Sequence, residues 1–167
     1  MGRWRPPAAK SAPYITPEGY KILEDEMAGL WKKRNEVAKA VTVAAAEGDR
    51  SENAEYIYRK KQLREIDSRV GFLQRRMPKL TVVREIQDKQ RIFFGAWVTV
   101  EDEEGNESRH RIVGADEFDR HKQFITVDSP LAKLLLGKTL DDEVILERKG
   151  TDQSLYITNI EYENTEN

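Results

Sequence analysis

Residues 16–48 read TPEGYKILEDEMAGLWKKRNEVAKAVTVAAAEG, and their spacing decides the fold. Leu23, Met27, Leu30, Arg34, Val37, Val41 and Ala44 recur at alternating steps of four and three, the a/d seam of a coiled coil with one charged intruder at Arg34. Thr16 suits an N-cap, Pro17 the first helical position and Glu18 the positive end of the helix dipole, while Gly48 suits a C-terminal stop. A second seam follows after only a few residues: Tyr56, Arg59, Leu63, Ile66, Val70, Leu73, Met77 and Leu80. Two long helices joined by so short a link must run antiparallel. The spacing predicts a helical hairpin with helices of about 26 to 29 residues, on the order of 40 Å long. Gly29 and Gly71 each weaken their helix by roughly 1 kcal/mol relative to alanine.

After Pro78 the texture changes to short β-rich runs. Residues 92–100 and 109–113 flank an acidic turn from Asp102 to Asn106 and predict a β-hairpin. Phe124 to Val127, Glu143 to Glu147 and Leu155 to Tyr162 predict further strands. Ser129-Pro130 followed by residues 131–136 and Gly137 supplies cap, first-turn proline and terminal glycine of a short helix. The fold class is therefore α+β, with an N-terminal antiparallel coiled-coil hairpin and a C-terminal antiparallel sheet domain carrying a short helix. Three of the six prolines fall in residues 1–13, which predicts a disordered tail there, a hairpin domain over 14–80 and a sheet domain over 81–167.

Composition narrows the function. The 167 residues contain no cysteine, which removes disulfides, thiolate nucleophiles and cysteine-ligated metal sites. No apolar run approaches the roughly 18 residues of a membrane span, and the first residues lack the apolar stretch of a signal peptide, so a cytoplasmic, non-membrane protein is expected. The net charge of −2 conceals a split: residues 1–80 carry 17 Lys and Arg against 11 Asp and Glu, whereas residues 81–167 carry 11 against 19. The basic half is suited to a polyanion.

The link between the helices, residues 47–56, reads EGDRSENAEY. Asp49 and Glu52 stand three apart, which is the pattern of a capping box with Asp49 as N-cap and Glu52 at N3, the commoner meaning of such a pair. The alternative is a pair of hard oxygen donors on an exposed tip, holding Mg²⁺ as part of a shell completed by another macromolecule. Arg59, Lys60, Lys61 and Arg64 follow on the second helix, and Lys32, Lys33, Arg34 and Lys39 lie on the first. Mixed charge on a helix is usually a solvated face, but Tyr56 and Tyr58 among the basic groups add rings on which single-stranded nucleic acid stacks. His110 and His121 have no acid or nucleophile at a suggestive spacing and are expected to be ordinary strand or surface residues. Trp97, Phe93, Phe94 and Phe124 are expected in the core. No phosphate loop, serine elbow or HExxH motif is present.

The tip GDRSENAEY (48–56), the run RKKQLREIDSRV (59–70), the strand FFGAWV (93–98) and DSPLAKLLLGK (128–138) together resemble the bacterial Gre family of transcript cleavage factors, its GreB branch more than its GreA branch. The resemblance covers residues 14–163; the proline-rich start departs from it. It implies a coiled-coil hairpin that enters the secondary channel of RNA polymerase and an FKBP-like second domain that docks at the channel rim. It also implies that Asp49 and Glu52 help hold an Mg²⁺ shared with the polymerase active site, none being bound stably by the factor alone. On that basis Ser51 and Asn53 support the tip, and Arg59, Lys60, Lys61, Arg64 and Tyr56 meet the nascent RNA 3′ end. The resemblance further implies a factor with no active site of its own, which as a monomer stimulates the polymerase to cleave backtracked RNA so that elongation resumes. Two alternatives are a channel-binding regulator that does not stimulate cleavage and an FKBP-like prolyl isomerase.

Overall fold

A computed structural model describes residues 10–48 and 53–164. The chain divides into two compact units, Glu18–Leu80 and a second made of Met1–Pro17 with Thr81–Asn167. Among the described residues no helix is long and apolar enough to cross a membrane.

The first unit is the expected hairpin. Helix α1 spans Pro17–Ala46 and α2 spans Ala54–Arg76, followed by a 3-10 turn at Met77–Lys79. Their lengths of 30 and 23 residues differ from the expected near-equality because α2 starts late, at an asparagine cap, and tightens into the 3-10 turn at Pro78. The seam buries Val37, Ile66 and Val70, with Met27, Leu30, Val41 and Leu63 packed against them. The intruder in the seam is neutralised across the helix pair: Arg34 Nε donates to Asp67 Oδ1 at 2.5 Å. Arg69 makes a two-point contact with Glu26 at 2.6 and 3.1 Å, the fork geometry that suits a guanidinium. Pairing of residue 26 with 69, 34 with 67 and 44 with 53 sets the antiparallel direction.

The second unit is a five-stranded sheet in the order β5-β4-β3-β7-β6, where β3 is Trp97–Asp102, β4 Glu107–Val113, β5 Phe124–Thr126, β6 Glu143–Arg148 and β7 Thr151–Glu161. Helix α3, Pro130–Leu135, is capped by Ser129, whose hydroxyl oxygen accepts from Ala132 N at 3.2 Å. Val98 and Val100 of β3, Ile112 of β4, Ile157 of β7 and Ala132 and Leu135 of α3 are fully or almost fully buried in one cluster. The sheet is mainly antiparallel, as expected, with one parallel pair: β5 joins β4, Arg111 opposite Phe124 and Val113 opposite Thr126. The chain reaches that edge through a 3-10 turn, Phe118–Arg120, rather than through a tight hairpin. Nor do residues 92–96 extend the first strand. Gly95 takes φ +88° and Ala96 N bonds back to Phe93 O, so β3 begins only at Trp97.

The domain boundary also moves. Tyr14–Ile15 form a short strand β1 that pairs in parallel with β2, Thr81–Val82, so residues 14–17 belong to the sheet unit and not to the hairpin. Residues 12 and 13, expected in a disordered tail, are tied down: Ala12 N donates to Asp128 Oδ2 at 3.1 Å, and Pro13 O accepts from Thr81 N at 2.7 Å. The rest of that expected tail, residues 1–9, lies outside the described residues. Helix α1 starts at Pro17 as expected, and Thr16 before it is held by the buried carboxylate of Glu117, which accepts from Thr16 N at 2.8 Å, from its hydroxyl, and from Gly114 N at 3.2 Å. Gly114 is there because a Cβ would stand 1.9 Å from the carbonyl oxygen of Tyr14.

Candidate functional site

The tip is built by the ends of two helices. At the end of α1, Gly48 takes φ +141°, a backbone that side chains disfavour. Asp49, Ser51 and Glu52 lie outside the described residues. Helix α2 has Asn53 as its N-cap, with φ −83° and ψ 96° and its side chain accepting from Tyr56 N at 3.1 Å. The capping box expected on Asp49 and Glu52 is therefore not the start of α2. Asparagine caps as well as aspartate does, and Asn53 is the cap next to the first apolar seam position.

Downstream, the four basic residues expected to act together differ in burial and in their local contacts. Arg59 is half-buried and held within its own helix, with Nε donating to Glu55 Oε1 at 2.8 Å, Nη1 to Gln62 Oε1 at 3.1 Å, and its guanidinium 5.5 Å from the Tyr58 ring centre. Lys60, Lys61 and Arg64 are exposed. Lys60 Nζ stands 5.4 Å from the centre of the half-buried Tyr56 ring, within cation–π range. On the facing helix Arg34 is committed to Asp67, so it adds little to a basic surface. Lys33 instead joins Lys61, Tyr58 and Gln62 along a shallow groove of about 380 Å³ between the helices, floored by Leu30 and Ile66. Arginine and lysine look alike in a charge run; seam position separates them, since Arg34 falls on the seam and Lys33 beside it.

In the sheet unit the weak candidates resolve differently from one another. His110 is half-buried in β4, and burial pushes its pKa below the ordinary value. Phe94 is buried as expected, but Phe93 is 39% exposed. Trp97 and Phe124, expected in the core, lie on the sheet face away from Val98 and Val100, their rings 5.9 Å apart. His121 stacks 5.2 Å from Phe124, and the Arg109 guanidinium lies 4.2 Å from the Trp97 ring centre. Alternation along the strand puts Trp97 and Thr99 on one face and Val98 and Val100 on the other, a period-two signal available in the sequence. Among the described residues no group of three or more His, Cys, Asp or Glu is placed to hold a metal ion.

The N-terminal model of the GreA and GreB transcription elongation factors matches residues 13–82, and the GreA/GreB C-terminal model matches residues 87–162. The chain belongs to the GreA/GreB family of transcription elongation factors. Transcription elongation factor GreB of Pseudomonas aeruginosa is 52% identical over 164 residues, covering 97% of this chain and 98% of the relative. GreB of Haemophilus influenzae is 52% identical over 153 residues, covering 90% and 96%. Among solved structures, the GreA factor homolog 1 protein of Thermus thermophilus aligns over 89% of this chain and 97% of its own, with 20% identity and a TM-score of 0.41. For a GreA/GreB family member, the two-helix finger and the five-stranded unit correspond to the two matched models, with the junction near β2.

Proposed function

We propose that this chain is a cleavage-stimulating elongation factor: its hairpin enters the secondary channel of RNA polymerase, and the tip carboxylates Asp49 and Glu52 act on the polymerase's own active site when the RNA is backtracked. The observation that carries the reading is the position of the α2 cap. Asn53 stands as the N-cap of α2 where Asp49 was the candidate, and this supports reading Asp49 and Glu52 as oxygen donors for an ion. Two carboxylates offer hard oxygen donors of the kind Mg²⁺ takes, but fewer than its roughly octahedral shell requires, so Asp49 and Glu52 would hold the ion only together with polymerase groups. Bound there, the metal supplies charge stabilisation and an activated water for phosphodiester hydrolysis.

The chain's own residues do the rest. A finger of α1's 30 residues, at 1.5 Å each about 45 Å long, has the reach for a deep channel. Lys33, Lys60, Lys61 and Arg64 offer cations to the phosphates of the extruded RNA, and Tyr56 and Tyr58 offer rings to its bases. Arg59 serves to hold Tyr58 and Glu55 in place rather than to bind. The sheet unit docks at the channel rim, and the chain works as a monomer in the cytoplasm.

The test is the rate of RNA cleavage in halted, backtracked polymerase complexes, with polymerase binding measured in parallel. Asp49→Asn and Glu52→Gln keep size and hydrogen-bonding capacity but remove charge. Each is expected to lower stimulation by about two orders of magnitude while binding persists, with only partial recovery at high Mg²⁺ because position as well as occupancy is lost. Full stimulation by the doubly substituted chain refutes the reading.

A further inference from the structure

After β2 the chain runs through residues 83–90 without helix or strand, and this stretch forms a wall of two neighbouring hollows in the sheet unit. One is a cavity of about 120 Å³ that brings Arg84, Lys89 and Arg111 together. The other is a more open groove of about 480 Å³ against the rings of Tyr14, Phe93 and Phe94. Val83, Ile86 and Phe94 line both, so the two are halves of one site.

The first half suits an anion. Arg111 is only 7% exposed, with its Nε donating to the Gly95 carbonyl at 3.1 Å, and a guanidinium keeps its charge when buried. Arg84 and Lys89, both exposed, add two cations from the linking stretch. Against these three stands the carboxylate of Glu163, whose Oε1 already accepts from Trp97 Nε1 at 2.9 Å. The cavity falls below the roughly 300 Å³ at which small-molecule sites begin, so it admits a phosphate-sized group and no ring system. The second half suits a ring: Tyr14 and Phe93 are 42% and 39% exposed, and the Tyr14 and Phe94 rings lie 5.9 Å apart. Tyr162 braces the wall between the halves, its hydroxyl accepting from Phe93 N at 2.9 Å and donating to the Arg91 carbonyl. Glu85 and Asp88 also border the groove, and carboxylates there accept from sugar hydroxyls while disfavouring a second anionic group.

We propose that this site binds a nucleoside monophosphate, with the phosphate in the cavity beside Arg84, Lys89 and Arg111 and the base against Tyr14 and Phe93. A bare anion fills only the cavity, and an uncharged nucleoside only the groove. The site lies wholly in the sheet unit and stands apart from any activity of the hairpin tip.

Amide NMR of the free, full-length chain, titrated separately with inorganic phosphate, adenosine and adenosine 5′-monophosphate, tests it. The monophosphate is expected to shift the amides of Ile86, Phe94 and Gly95 together, to slow amide exchange over residues 83–89, and to bind about tenfold more tightly than either fragment, since one molecule engages both halves. Replacing the two exposed cations, Arg84→Gln with Lys89→Gln, is expected to weaken the monophosphate about tenfold. Phe93→Ala is expected to weaken it about fivefold while leaving inorganic phosphate within about twofold. A monophosphate that binds no more tightly than inorganic phosphate reduces the site to an anion hole and overturns the proposal. Shifts confined to the hairpin lysines, or parental affinity in the double variant, overturn it as well.

Discussion

The hairpin and the sheet unit hold together by different means. Along the hairpin the fully buried cluster is Val37, Ile66 and Val70, flanked by half-exposed ion pairs, and each contact is made between short neighbouring stretches of two helices. In the sheet unit eleven residues are buried in one cluster, drawn from strands, a helix and a loop far apart in the chain. A narrow seam spreads its stabilisation along its length and tolerates local loss, whereas a closed core concentrates it. A slender element serves reach, and a compact one serves as a base whose surface is exact.

The largest expected effect sharpens this contrast. Ile112→Ala in the closed core is expected to cost about 4 kcal/mol, and Val70→Ala on the seam about 2 kcal/mol, both read by urea unfolding. Equal costs would break the comparison. Next comes Gly114→Ala, whose new methyl group would meet the Tyr14 carbonyl at 1.9 Å; it is expected to destabilise the sheet unit by about 3 kcal/mol and to release Ala12–Thr16, seen as faster amide exchange there. Asp141 sits at φ +67°, so Asp141→Gly is expected to stabilise the sheet unit by about 0.5–1 kcal/mol in the same unfolding assay.

Two smaller effects probe charge. Burial favours neutral His110 in the folded chain and lowers its pKa from 6.5. The unfolded chain then binds the proton more readily, so stability is full above pH 6.5 and falls as pH drops below it. Unfolding free energies across that window should lose part of their slope in His110→Gln. On the hairpin, Arg34→Ala is expected to cost at most about 1 kcal/mol, shrinking with added salt, because the Arg34–Asp67 pair is partly exposed.

The same contrast explains what could be read from residues alone. Heptad spacing is local, so both helices, their antiparallel direction and the intruding Arg34 were legible. The parallel addition of β5 to β4 and the pairing of β1 with β2 were not, since strands of three and two residues leave almost no periodicity and their partners lie far away. At the tip, Asp49 and Asn53 are equally good caps by type. The discriminating sign was the seam itself, because Tyr56 is its first position and the cap belongs just ahead of it. Trp97 and Phe124 lie on the sheet face opposite Val98 and Val100, because only one of the two faces that alternation marks packs against the core.

The pairing of Tyr14 with Thr81 and Ile15 with Val82 makes the hairpin an insertion between two strands of another unit. During synthesis β1 emerges first and stays without its neighbour until residues 16–80 have been made. A disordered stretch of that length would impose a loop-closure entropy on the pairing. Once α1 and α2 zip together from local contacts, the ends of the insertion are already close, and the effective loop is far shorter than the sequence distance. The finger thus also acts as an assembly jig for the base. The corollary is modular: because both junctions are fixed by backbone pairing in β1 and β2, one hairpin can be exchanged for another of matched length without redesigning the sheet.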